Sequence, residues 1–200
     1  MCLIIEPGRP DDAPAAARLI AETDVALFTF CGAGDIGVWR ELSEWEWLQE
    51  RGVYSWTMSH VARRDGEVAG LLVSYSSQRH ETIDWSYSGA RAHMAPERWG
   101  RVAAAHGLVP FLFPFIPEDA YYVQNLATDP SVRGSGLGRR LMELAFQRGR
   151  AEGCRSCHLD VDSSAAAVQF YEHLGMRILV KTEVPDIPSV HTHFRMVIDL

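Results

Sequence analysis

The sequence predicts one α/β domain built on a mixed β-sheet flanked by helices, and three observations carry that expectation. Two hundred residues, 47% apolar and 22% charged, make a normal globular balance in a chain of single-domain size. Two β-rich runs meet at Arg64-Asp65-Gly66-Glu67, an Asp-Gly hairpin signal. Beyond residue 120, strand patterns alternate with helical ones through a glycine-rich turn, which places at least one parallel crossover in the sheet.

Leu3 to Ile5 is a short apolar run, read as the first strand. Pro10-Asp11-Asp12-Ala13-Pro14 has the form of a helix start, with an Asp cap and a first-turn proline, and Ala15 to Glu22 continues it. Glycines and aromatics from Phe28 to Gly37 suggest a loop. Trp39, Leu42, Trp45 and Leu48 then recur at helical spacing until Arg51-Gly52. Tyr54 to Arg63 and Val68 to Ser76 form the hairpin. The stretch from Gln78 to Asp119 holds one helix near Pro96 to His106. Tyr121 to Thr128 is a strand and Asp129-Pro130-Ser131 a turn. Leu137, Leu141, Leu144 and Ala145 make a helical stripe that ends at Gly153. Ser156 to Val161 is a strand, Ala165 to His173 a helix closed by Gly175, and Met176 to Glu183 and His193 to Ile198 are the last two strands.

Composition excludes several roles. A formal net charge of −7 argues against nucleic acid or an anionic membrane surface as the main partner. The apolar run at the N-terminus has no basic flank before it, and no stretch approaches the roughly 20 apolar residues of a membrane span. The expectation is a cytoplasmic protein with Cys2, Cys31, Cys154 and Cys157 reduced.

The segment Arg133-Gly134-Ser135-Gly136-Leu137-Gly138-Arg139 carries the clearest chemistry. A strand, a glycine-rich turn and a helix N-terminus together form an anion site, because first-turn N–H groups lack partners and the helix dipole adds partial positive charge. Glycines let the backbone approach a phosphate, and the arginines add charge-assisted contacts. A dinucleotide fingerprint starting at Gly134 would need glycine where Arg139 stands. A nucleotide P-loop would need Lys-Ser/Thr after Gly138, where Arg139-Arg140 follows.

The run from Asn125 through Leu126, Ala127, Thr128 and Arg133 to Gly136 and Gly138 resembles motif A of the Gcn5-related N-acetyltransferase (GNAT) family, which ends in Arg/Gln-x-x-Gly-x-Gly/Ala. Motif A covers about 121–152 and a second motif about 156–177 within a single domain spanning 1–200. Ala167, Phe170, Tyr171, Glu172 and Gly175 match the second motif, while Ser164 stands where the family has Asn. The resemblance implies a splayed sheet with acetyl-CoA as co-substrate wedged between two central strands. Its pantetheine arm would pair with the backbone of Leu126, Ala127 and Thr128, and its pyrophosphate would lie on residues 133 to 139. It also implies Tyr171 as general acid toward the leaving thiolate and a backbone oxyanion donor at Leu126 to Thr128. Ser164 would cap its helix and touch the cofactor arm.

The base is not legible. Many relatives have a Glu on this strand, but Tyr122-Val123-Gln124-Asn125 offers none, though Gln124 or Asn125 could position a water. His80, Glu81, Asp84 and His93 are the remaining candidates. The expected partner is a small-molecule or peptide amine, and an edge strand near the C-terminus leaves a homodimer open. A non-catalytic acyl-CoA-binding module is the rival reading.

Three further signals are discounted. Cys154-Arg155-Ser156-Cys157-His158 has the haem-attachment spacing, but it runs from a helix end into a strand. Neither haem nor metal is therefore expected, and His191-x-His193 lacks further ligands. Trp39, Trp45, Trp47 and Trp56 are read as core, with an acceptor-pocket wall as the alternative.

Overall fold

The computed structural model describes residues 3–85, 91, 92, 94–185, 187 and 192–200. Cys2, His93 and His191, all considered above, lie outside the described residues. The described residues form a seven-stranded sheet in the order β1 (Leu3–Pro7), β2 (Ser59–Arg64), β3 (Glu67–Ser76), β4 (Ala120–Thr128), β5 (Ser156–Asp162), β7 (His193–Asp199), β6 (Arg177–Thr182). Among the described residues only the β4–β5 pair is parallel, and every other neighbouring pair is antiparallel. The chain therefore forms a single domain around a mixed sheet.

The hairpin turns where the sequence places it. Asp65 and Gly66 both adopt positive φ (54° and 93°), the pair of left-handed residues that a two-residue turn needs to match strand twist. Helices cover both faces. On one face lie α1 (Ala13–Thr23), α2 (Val25–Cys31) and α3 (Ile36–Trp47), with α5 (Pro96–Leu108) packed beyond them. A single-turn helix, α4 (Ser77–His80), follows β3. The opposite face carries α6 (Leu137–Ala151) and α7 (Ala167–His173). The first core joins Leu19, Ile20, Trp39 and Trp47 to Val61, Leu71, Val73 and Tyr122 of the sheet. The second joins Leu137, Leu141, Met142 and Tyr171 to Leu72, Val123, Cys157 and Leu159.

Three local readings are corrected. The segment expected as a loop from Phe28 contains α2, whose start is capped by Asp24 accepting from the Leu27 N–H at 2.9 Å. Phe28 is held in it by stacking on Trp39, with ring centroids 4.9 Å apart. Asp12 does not cap α1 with its side chain; the carboxylate instead takes two hydrogen bonds from Arg63 at 2.7 and 2.8 Å. The second strand begins at Ser59 rather than Tyr54, because Ser55 caps a 3₁₀ turn over Trp56–Met58. Trp39 and Trp47 are core, as read, and the Trp47 indole N–H donates to the Arg9 carbonyl at 2.8 Å.

Candidate active site

β4 pairs with β3 from Tyr121 to Thr128 but with β5 only from Ala120↔Ser156 to Val123↔Leu159. At that point a bulge intervenes: Val73 pairs with Asn125 and Ser74 with Val123, leaving Gln124 without a partner on β3. Beyond it, Leu126, Ala127 and Thr128 pair with Leu72, Leu71 and Gly70 on one side and, among the described residues, with no strand on the other. The sheet therefore splays between β4 and β5. The β5-side edge of β4 is a row of backbone groups suited to an extended, strand-like partner.

That open edge runs directly into the glycine turn. Asp129 shapes the bend by accepting from the Ser131 N–H (3.0 Å) and hydroxyl (2.7 Å), while Arg18 reaches its other oxygen at 3.2 Å. Arg64 holds the far side through the carbonyl and hydroxyl of Ser131. Gly134 and Gly136 have φ of +77° and +80°, and a Cβ built at either meets no atom within 4 Å. Their surroundings are open to a ligand, and only glycine enters this conformation without strain. Gly138 has a different job inside the first turn of α6, where a Cβ would stand 3.3 Å from the Phe170 ring. A helix start leaves the N–H groups of Leu137, Gly138 and Arg139 without intrahelical partners. No acid lies in that turn, while Ser135, Arg133, Arg139 and Arg140 are all exposed around it. Cations at the positive end of a helix dipole are unfavourable unless an anion joins them, so this geometry suits a phosphate. Tyr171 of α7 is buried, and burial pushes its phenol well above the ordinary value, so it is held neutral.

The sequence matches the family described as Acetyltransferase (GNAT) family over residues 25–176. The chain belongs to the GNAT acetyltransferase family. A 56-residue stretch, 28% of this chain, is 39% identical to a glucosamine 6-phosphate N-acetyltransferase of Trypanosoma brucei brucei and covers 37% of that protein. An 85-residue stretch, 42% of this chain, is 29% identical to the uncharacterized N-acetyltransferase YjgM of Escherichia coli K12 and covers 50% of it. The matches thus span half or less of those relatives. An N-acetyltransferase from Staphylococcus aureus Mu50 shares the fold at a TM-score of 0.69, with 18% identity over 98% of this chain and 100% of that one.

Against the family pattern, Ser164 of this GNAT member departs in more than residue type. It does not cap α7, whose N-cap is Ala166; its hydroxyl and N–H both turn to Asp162, each at 2.7 Å. The serine was expected to hold the helix start, but the nearer carboxylate wins the hydroxyl. Among the base candidates, Glu81 and Asp84 are exposed. His80 is sandwiched between Tyr75 (5.8 Å) and Trp85 (5.3 Å), and burial lowers its affinity for a proton. Cys154, Cys157 and Cys31 are free thiols, and burial pushes Cys157 and Cys31 up to about 12. Buried, protonated thiols of this kind are inert. Among the described residues no cluster of three or more potential metal ligands occurs, and no helix is long and apolar enough to cross a membrane.

On the α1 face of the GNAT sheet lies a polar network that sequence reasoning missed. Arg195 and Asp160, both with side chains at most 2% exposed, form a bidentate pair at 2.8 and 2.7 Å. Tyr122 donates its hydroxyl to the same carboxylate at 2.7 Å and lies beneath the guanidinium. Arg195 also donates to the carbonyls of Pro114 (2.7 Å) and Phe115 (3.2 Å), tying that loop to the sheet. Asp24 and His193 meet at 2.9 Å, joining the α2 start to β7. At the bulge, Tyr75 donates to Gln124 Oε1 at 2.6 Å, and Asn125 Nδ2 donates to Thr23 Oγ1 at 2.8 Å. One signal was available: His193, Arg195 and Val197 share a strand face, so an arginine sat among positions that alternation would bury.

Proposed function

We propose that this protein transfers an acetyl group from acetyl-CoA to a primary amine of a small molecule or peptide by direct attack. The observation that carries the reading is continuity. The open edge of β4 leads without interruption into a left-handed glycine turn and an arginine-rich helix start. An acyl-pantetheine arm ending in phosphates has that order of chemical needs. Backbone groups of Leu126, Ala127 and Thr128 would pair with the arm. The N–H groups of Gly134, Gly136, Leu137, Gly138 and Arg139, with the Ser135 hydroxyl and the Arg133 and Arg139 side chains, would hold the pyrophosphate, the Ser135 N–H being spent on the Val132 carbonyl. With its hydroxyl held by Asp162, Ser164 would contribute at most a lateral contact.

In the reaction a C–N bond forms, the C–S bond breaks, the amine sheds one proton and the departing thiolate gains one. A backbone N–H of residues 126–128 would stabilise the carbonyl oxygen as it gains charge. Tyr171, neutral because buried, would donate to the thiolate. Calorimetry with acetyl-CoA, followed by thiol-release assays on a panel of primary amines, tests the reading. A folded protein that does not bind acetyl-CoA would refute it. Binding without transfer to any amine would favour a non-catalytic acyl-CoA-binding module.

A further inference from the structure

The side-chain oxygen of Asn125 poses a specific question. Asn125 is 5% exposed, and its Oδ1 has no hydrogen-bond partner among the described residues. The orientation of the amide follows from its neighbour. Thr23 spends its hydroxyl hydrogen on the Ile20 carbonyl at 2.7 Å, so toward Asn125 it can only accept. Asn125 must therefore present its NH₂ group there, at 2.8 Å, and the carbonyl oxygen is turned away from Thr23. Folded proteins rarely leave a buried acceptor without a donor unless a water or ligand supplies it.

The position of this oxygen is equally informative. Asn125 follows the Gln124 bulge and stands just past Val123, the last β4 residue paired with β5. It immediately precedes Leu126, the residue of the 126–128 stretch farthest along β4 from the glycine turn, so the acyl end of an arm whose phosphates lie on that turn would fall nearest to it. Its side chain lies on the α1 face of the sheet, opposite the face covered by α6 and α7. On the acyl-transfer reading, a nucleophile that reaches the acyl group from the α1 side would pass this residue.

We propose that Asn125 positions the acceptor, its Oδ1 accepting a hydrogen bond from an N–H of the attacking amine. The inference rests on the acyl-transfer reading and adds a residue to it. A neutral primary amine has two N–H groups and one lone pair. Giving one hydrogen to a fixed oxygen restricts rotation and leaves the lone pair free to face the carbonyl carbon. Thr23 serves as the anchor that fixes the amide, and the Tyr75–Gln124 bond immobilises the neighbouring bulge residue.

The test compares wild type with Asn125→Ala, Asn125→Asp and Thr23→Val. Acetyl-CoA affinity is measured by calorimetry, acceptor-independent acetyl-CoA hydrolysis by thiol release, and transfer to glucosamine 6-phosphate, an alanine-initiated tripeptide and spermidine. Asn125→Ala is expected to raise the amine KM at least tenfold while acetyl-CoA affinity stays within twofold. Asn125→Asp, which keeps an acceptor oxygen but offers Thr23 no N–H, should recover part of the lost KM. Thr23→Val removes the anchor but keeps the oxygen, and should raise the amine KM by less than Asn125→Ala does, with acetyl-CoA affinity within twofold. An unchanged KM in Asn125→Ala would overturn the proposal. So would a parallel loss of acetyl-CoA affinity in Asn125→Ala and Thr23→Val, which marks a purely structural tie. Transfer to none of the amines by a protein that binds acetyl-CoA would also count against it. Failure of wild type to bind acetyl-CoA would instead remove the underlying reading.

Discussion

Gly136 and Gly153 flank the same helix, α6, with φ of +80° and +77°, and a Cβ at either position meets no atom within 4 Å. They are a matched pair: the same strain, the same open surroundings, and roughly 25 Å between them at 1.5 Å per helical residue. Alanine in the left-handed region costs about 1–2 kcal/mol, so both substitutions should destabilise the fold similarly. For a domain of this size that corresponds to roughly 2–8 °C in melting temperature. Their effects on ligand binding should diverge. In Gly136→Ala the turn either carries its new methyl on the phosphate side or rotates to relieve strain, withdrawing first-turn N–H groups. Hydrogen bonds to charged groups contribute about 1.5–3 kcal/mol each, so losing one weakens acetyl-CoA binding by about tenfold or more. Gly153→Ala should bind within twofold of wild type. Urea unfolding and calorimetry on the two variants give both numbers. Equal affinities for the pair, with equal destabilisation, would refute the assignment of this turn to the phosphates.

Tyr171→Phe should lower kcat by about 10²-fold with acetyl-CoA affinity unchanged, since positioned proton donors contribute on that scale; unaltered steady-state turnover would leave Tyr171 as core packing only. Arg195→Met strands the Asp160 carboxylate, itself 2% exposed, without its cation. Breaking a buried pair this way costs about 3–5 kcal/mol, which a urea midpoint will register. Burial raises Glu46 from 4.5 to about 7 and lowers His60, His106 and His158 from 6.5 to about 4. The glutamate's contribution is full below 4.5 and fades as pH rises through 7, whereas that of the histidines is full above 6.5 and fades as pH falls through 4. Three groups against one predict that stability drops on acidification from pH 6.5 toward 4, and that Glu46→Gln stabilises more at pH 8 than at pH 5 in denaturant titrations.

Where a feature depends on neighbours in sequence, it was legible. The Asp65-Gly66 turn and the left-handed glycines of the 133–139 loop are local demands on backbone torsion, and each lies where the pattern placed it. The segment 25–31 was not legible as a helix because Val-Ala-Leu-Phe-Thr-Phe-Cys is rich in β-branched and aromatic residues with weak helix propensity. Its helix is fixed by the Asp24 cap and by Phe28 stacking on Trp39, a residue of the next helix. The Asn125–Thr23 and Arg195–Asp160 contacts span 102 and 35 residues, and no local spacing announces pairs so far apart. Ser164 failed as a cap for a different, local reason: Asp162, two residues away, competes for the same hydroxyl.

The same division separates the two faces of β4. Groups read as holding acetyl-CoA lie between residues 126 and 139, with Tyr171 added from the α6 side, so one strand–turn–helix unit fixes most of that geometry. The α1 face is assembled from Thr23 and Asp24, Tyr75, the 124–125 bulge, and His193 and Arg195, which come from four separate parts of the chain. A substitution in any of those parts can reshape the α1 face without moving the glycine turn. On the acyl-transfer reading, the acceptor preference can therefore change while donor recognition stays constant. Variants of Thr23, Tyr75 and Asn125 should accordingly alter amine kinetics independently of acetyl-CoA affinity, whereas variants of Gly134 and Gly136 should alter acetyl-CoA affinity first.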